Sequence, residues 1–169
     1  MKRIILIYGT VAGLVIIVTN TLNLEFGRGQ AWLGFLVMFI AFSTIYVSTR
    51  QYRDQTLGGV ISFTTALSLG LGISAIASIV YVAVWEVYLA ITDYGFIESY
   101  IDAIVEAGKL SGASEADMAE VMLETEQIRV QYANPLFRLP MTLIEVFPAG
   151  LLISLISAAV LRNHKTAGQ

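Results

Sequence analysis

Cysteine is absent from this chain of 169 residues, histidine occurs once and proline three times. Without cysteine there is no disulfide, no thiolate nucleophile and no thiolate metal ligand. The single histidine, His164, lies in the polar C-terminal tail, so no histidine cluster can hold a metal within one chain. Charge is scarce too: 14% of residues are Asp, Glu, Lys or Arg, against ~25% in soluble domains. There is no nucleophile–base pair, glycine-rich phosphate loop or metal-ligand cluster. The expectation is a protein that is not an enzyme, with no catalytic residue, metal or cofactor.

What the chain has is apolar length. It is 56% hydrophobic, with a mean hydropathy of +0.72. About 20 mainly apolar residues cross the hydrocarbon core as a helix. Four stretches qualify, 4–24, 31–49, 62–90 and 139–161. The third exceeds the minimum and must tilt or extend past the headgroups. Lys2 and Arg3 before an apolar run imitate a signal peptide, but residues 19–24 lack a small-residue cleavage site, so a retained helix is expected. These features predict an all-α integral membrane four-helix bundle, a single domain over 1–169. An extracytoplasmic helical hairpin over 91–138 joins the third and fourth spans.

Lys and Arg near helix ends set orientation. Lys2 and Arg3, Arg50 and Arg53, and Arg162 and Lys165 fall on one side. Of the basic residues opposite, only Arg28 and Arg138 lie close to a helix end. Both termini are therefore expected on the inner, cytoplasmic side of the membrane, with 91–138 outside. That segment is rich in Asp and Glu, which argues against nucleic acid or anionic headgroups as partners. The partners left are membrane lipids, another membrane protein or a second copy.

Within 91–138, Ile97, Tyr100, Ile101, Ile104 and Val105 form one helical stripe, broken by Ser111-Gly112. Ser114 with Asp117 three residues on resembles a capping box opening a second helix, which Asn134-Pro135 stops. Met118, Val121, Met122, Thr125, Ile128 and Tyr132 line its less polar face. The hairpin is read as lying over the outer ends of the spans or as a docking surface for a partner or lipid.

Small residues let membrane helices approach closely. Ser62, Ala66, Gly70, Ser74 and Ser78 recur every four residues in the third span. Gly9 and Gly13 in the first, and Gly150, Ser154 and Ala158 in the fourth, are candidate counterparts. Packing within the chain and dimerisation both fit. Trp32, Trp85 and Tyr88 are placed as outer interfacial anchors, Tyr46 and Tyr52 as inner ones.

Two carboxylates fall inside the spans, Glu86 and Glu145, each roughly 8–9 Å from the outer boundary at ~1.5 Å per residue. Facing each other, they would share a proton or hold a cation in an outer cavity. Otherwise each pairs locally, with Arg138, Arg28 or headgroup water. Pro148, three residues after Glu145, removes a backbone donor and favours a kink.

The turn Gln51-Tyr52-Arg53-Asp54-Gln55-Thr56-Leu57-Gly58-Gly59-Val60-Ile61-Ser62-Phe63, with Tyr81-Val82-Ala83-Val84-Trp85 and Phe147-Pro148-Ala149-Gly150, resembles the domain-of-unknown-function family DUF4199. That resemblance implies a small bacterial protein with four membrane helices and an outer helical segment, and implies no activity. In the turn, Arg53 and Asp54 are expected to bond loop carbonyls and amides, with Gly58 and Gly59 permitting tight re-entry. The function expected is that of a non-enzymatic accessory or scaffold protein bound to a membrane partner. The alternative is a small ion-coupled transporter, or a binder of lipid or another hydrophobic ligand, using Glu86 and Glu145.

Overall fold

A long apolar run away from water satisfies its own backbone polar groups by forming a helix. The computed structural model describes residues 1–25 and 31–163. Among those residues it contains six helices and no strand: α1 (Lys2–Glu25), α2 (Ala31–Thr56), α3 (Phe63–Ile91), α4 (Gly95–Leu110), α5 (Glu115–Ala133) and α6 (Pro135–Leu161). Four are long and apolar enough to cross a membrane, over Lys2–Asn23, Trp32–Thr56, Phe63–Ile91 and Pro135–Leu161. Their outward faces carry large apolar side chains such as Val11, Val18, Ile40, Val87 and Val160, all exposed. Such a surface suits lipid and not water.

Two boundaries depart from the hydropathy pattern. α2 continues past residue 49 because its polar end still makes helical pairs, Gln51 Nε2 to Gln55 Oε1 at 3.3 Å and Arg50 with Asp54 at 3.7 Å. α6 begins at Pro135, not 139. Asn134 closes α5, and its Oδ1 accepts the Leu136 N–H at 3.0 Å. One residue thus ends one helix and caps the next, and Pro135 gives up only an N–H that the first turn leaves unused.

The chain divides into two compact units, Met1–Val84 with Leu143–Gln169, and Trp85–Thr142. In the first, α3 has α1 on one side and α6 on another. A Cβ added at Gly13 would lie 2.6 Å from the Ala77 carbonyl oxygen of α3. On the α6 side, a Cβ at Gly70 would meet Ser154 Oγ at 2.7 Å, and one at Gly150 would meet Ser74 Oγ at 2.5 Å. The Ser74 and Ser154 hydroxyls stand 3.2 Å apart, and each donates to the carbonyl four residues back in its own helix. Ala66 is buried with Ile61, Ala158 and Leu161. Ser78 is buried too, and its hydroxyl lacks a partner among the described residues.

Ser62 does not belong to this packing stripe. It precedes α3 and is exposed, and its Oγ accepts the Thr65 N–H at 3.2 Å. It is a helix N-cap, because the chain enters the helix only at Phe63.

In the second unit, α4 and α5 run antiparallel. Glu98 near the start of α4 bonds Arg129 near the end of α5 at 2.8 and 2.9 Å. At the other end Gly108 lies against Met118. Ile97, Ile101 and Thr125 are buried, whereas Tyr100 and Met122, placed on the same stripes by periodicity, are exposed. The capping box forms: Ser114 Oγ accepts the Asp117 N–H at 3.2 Å, and the Asp117 carboxylate accepts the Ser114 N–H at 3.1 Å.

Candidate functional site

The polar chemistry of the second unit converges on Arg138, which is 2% exposed although it carries a full charge. Its Nε and Nη2 donate to the two oxygens of Glu86 at 2.8 and 2.6 Å. Nη1 donates to the Tyr132 carbonyl at 2.7 Å. The guanidinium also lies over the Tyr94 ring at 5.2 Å and beside the Tyr132 ring at 5.7 Å, within cation–π range. Forked donors facing a carboxylate make the strong bidentate form of the ion pair. The carbonyl and the two rings cover most of what remains of the cation.

Local structure builds this cage. Asp93 and Tyr94 have φ of 48° and 59°, a left-handed pair between α3 and α4. A bulky aromatic pays strain there, and the conformation coincides with its ring lying over the guanidinium. Trp85 donates its indole N–H to the Tyr132 hydroxyl at 2.9 Å, with Phe96 edge-on to it at 5.0 Å. Trp85 is therefore not an anchor facing the headgroups. It is 6% exposed and packed inside the unit, where its N–H needs the partner that Tyr132 supplies.

Glu86 is thus committed to an intramolecular pair. Glu145, in the other unit, is exposed and has no hydrogen-bond or ion-pair partner among the described residues. The two candidate carboxylates stand in different settings, one locked and one open. Arg28, the other basic residue considered for them, lies outside the described residues, as do His164 and Lys165. Among the described residues no group of three metal-ligating side chains comes together. Pro148 is exposed, and α6 runs unbroken through it.

The turn between α2 and α3 is held differently from expectation. The side chains of Arg53 and Asp54 bond each other, Nε to Oδ1 at 2.7 Å, and not the loop backbone. They pair along the last turn of a continuing helix, while the Arg53 carbonyl accepts the Gly59 N–H of the loop at 2.9 Å. Further contacts to the loop backbone come from Asn163 just past α6. Its Oδ1 accepts the Ile61 N–H at 2.8 Å, its Nδ2 donates to the Gly59 carbonyl at 2.7 Å, and its own N–H donates to the Ile61 carbonyl at 3.2 Å. Gly58 and Gly59 have φ of 66° and 88°, the left-handed region that favours glycine. Tyr52 packs against the Ile61 cluster below the turn. Nothing in the sequence marked Asn163, since its partners lie 102 and 104 residues away.

No curated protein and no solved structure is similar to the chain. One family model, described as "Protein of unknown function (DUF4199)", matches residues 7–163. With that match over nearly its whole length, the chain belongs to the DUF4199 family.

Proposed function

We propose that this protein is a non-enzymatic accessory or scaffold protein of a bacterial inner membrane, bound to a larger membrane partner. In this reading the four long helices form a bundle with both termini in the cytoplasm. α4 and α5 form the extracytoplasmic hairpin. The observation that carries the reading is the state of Glu86. Both its oxygens are taken by Arg138, whose remaining surface is covered by Tyr132 and Tyr94. A charge closed off in this way braces the unit and offers little to a substrate. Small-residue contacts between α3 and its neighbours α1 and α6 likewise serve internal packing.

A second reading rests on Glu145, the carboxylate in a candidate span that has no partner among the described residues. It makes the protein an ion-coupled transporter or a hydrophobic-ligand binder. Affinity purification from native membranes in mild detergent, with mass spectrometry of what remains bound, separates the two. A stoichiometric membrane protein supports the accessory role. A clean monomer or homodimer removes it and shifts weight to Glu145.

A further inference from the structure

α6 has two unlike faces from Glu145 onward. Gly150, Ser154, Ser157 and Ala158 are buried, with Gly150 and Ser154 turned to α3. Glu145, Pro148, Leu152 and Ile156 lie on the opposite side at helical spacing, and all four are exposed. An ionisable group at membrane depth ordinarily faces a bundle interior or wet cavity, paired. This one faces outward and has no partner among the described residues. Pro148 adds an independent feature. Lacking an N–H, it leaves the Ile144 carbonyl without its usual helical donor, next to the carboxylate. A carboxylate with no donor among the described residues thus stands beside a carbonyl that lacks its i+4 donor, on an apolar exposed stripe.

We propose that this face of α6 docks a membrane-spanning helix of another protein that carries an arginine or lysine at the depth of Glu145. A guanidinium or ammonium brings donors only, for both the carboxylate and the freed carbonyl. A second copy of the same face would instead set carboxylate against carboxylate, and a lipid tail would leave both acceptors unmet. The proposal rests on the accessory reading and specifies the partner's chemistry.

A photo-crosslinking amino acid at Leu152, introduced into full-length protein in native membranes, tests it. The expected result is capture of one membrane protein, crosslinked through a membrane-spanning helix that contains Arg or Lys. Glu145→Gln should lower capture at least tenfold with expression unchanged, and Glu145→Asp should retain it. Replacing the partner's basic residue with Glu should restore capture in Glu145→Lys. Unchanged capture in Glu145→Gln overturns the proposal, as do crosslinks only to a second copy or to lipid. An equal loss in Arg28→Gln also overturns it, by giving Glu145 a partner within its own chain. A stoichiometric partner that survives Glu145→Gln leaves the accessory role standing and removes this surface, whereas no stoichiometric partner in the unmodified protein removes both.

Discussion

Arg138 shows how one charge is kept where water is excluded. Three of its donors are used, two on Glu86 and one on the Tyr132 carbonyl, and two rings cover the cation. Breaking such a pair from one side leaves an uncompensated buried charge, at a cost of about 3–5 kcal/mol, whereas replacing both partners with apolar residues of similar volume is often close to neutral. Arg138→Ala and Glu86→Gln should therefore each destabilise the protein strongly. The double variant Glu86→Leu with Arg138→Met should be milder than either. Equilibrium unfolding in detergent reads this order; a double variant worse than both singles would mean that the pair holds more than itself. Glu86 is legible in the sequence as a charge inside an apolar run, and Arg138 as one of two basic residues near outer helix ends. Their pairing is not, because it joins positions 52 residues apart and depends on a left-handed Tyr94 that no local signal marks. Asn163 is hidden for the same reason. Asn163→Ala removes two side-chain bonds to the α2–α3 turn and should cost about 1–3 kcal/mol. Faster amide hydrogen exchange at Ile61 is the specific sign; unchanged exchange there would mean that water replaces the amide without loss.

Helices obey local chemistry, and there the sequence reads well. The break at Ser111-Gly112, the Ser114–Asp117 box and the stop at Asn134 are all set by residues within a few positions of one another, and all three occur. Local signals fail where the end of an apolar run is taken for the end of a helix. α2 continues on polar i,i+4 pairs, and α6 starts early on an asparagine cap and a proline. α5 also makes a pH prediction. Arg129 holds the Glu98 carboxyl below its ordinary value of 4.5. The Ser114 hydroxyl and backbone hold Asp117 below its ordinary 3.8. A carboxyl depressed in the folded state stabilises it above the unfolded pKa and loses that contribution as pH falls through the folded value. The α4–α5 pairing should therefore be flat with pH above about 5 and weaken below the ordinary carboxylate values. Both groups are solvent-exposed, so the effect is small and reduced by salt. Hydrogen exchange across α5 at pH 6 and pH 3 measures it, and Ser114→Ala should remove the Asp117 part while costing ~1 kcal/mol at pH 6. Protection that rises on acidification, once the slower intrinsic exchange at low pH is allowed for, would contradict the assignment.

For the whole molecule the open quantity is orientation, and the absence of cysteine makes it directly measurable. Basic residues gather at alternate helix ends, at Lys2 and Arg3, Arg50 and Arg53, and Arg162 and Lys165, while 91–138 is acidic. Positive charge near span ends is retained on the cytoplasmic side. The α2–α3 turn should then be cytoplasmic and the α4–α5 connection external. A single cysteine at either place is the only thiol in the chain. Thr56→Cys and Ser111→Cys replace exposed side chains that lie outside the Arg138 cage and the Asn163 contacts. With a membrane-impermeant maleimide on intact spheroplasts, Ser111→Cys should label at once and Thr56→Cys only after the membrane is opened. The reverse order would invert the topology and place the acidic segment beside the cytoplasm. Labelling of both from one side would mean that α3 does not cross, and Glu86 would then lie outside the hydrocarbon. Only the expected order puts the acidic α4–α5 segment on the side opposite the basic span ends, as the charge pattern requires.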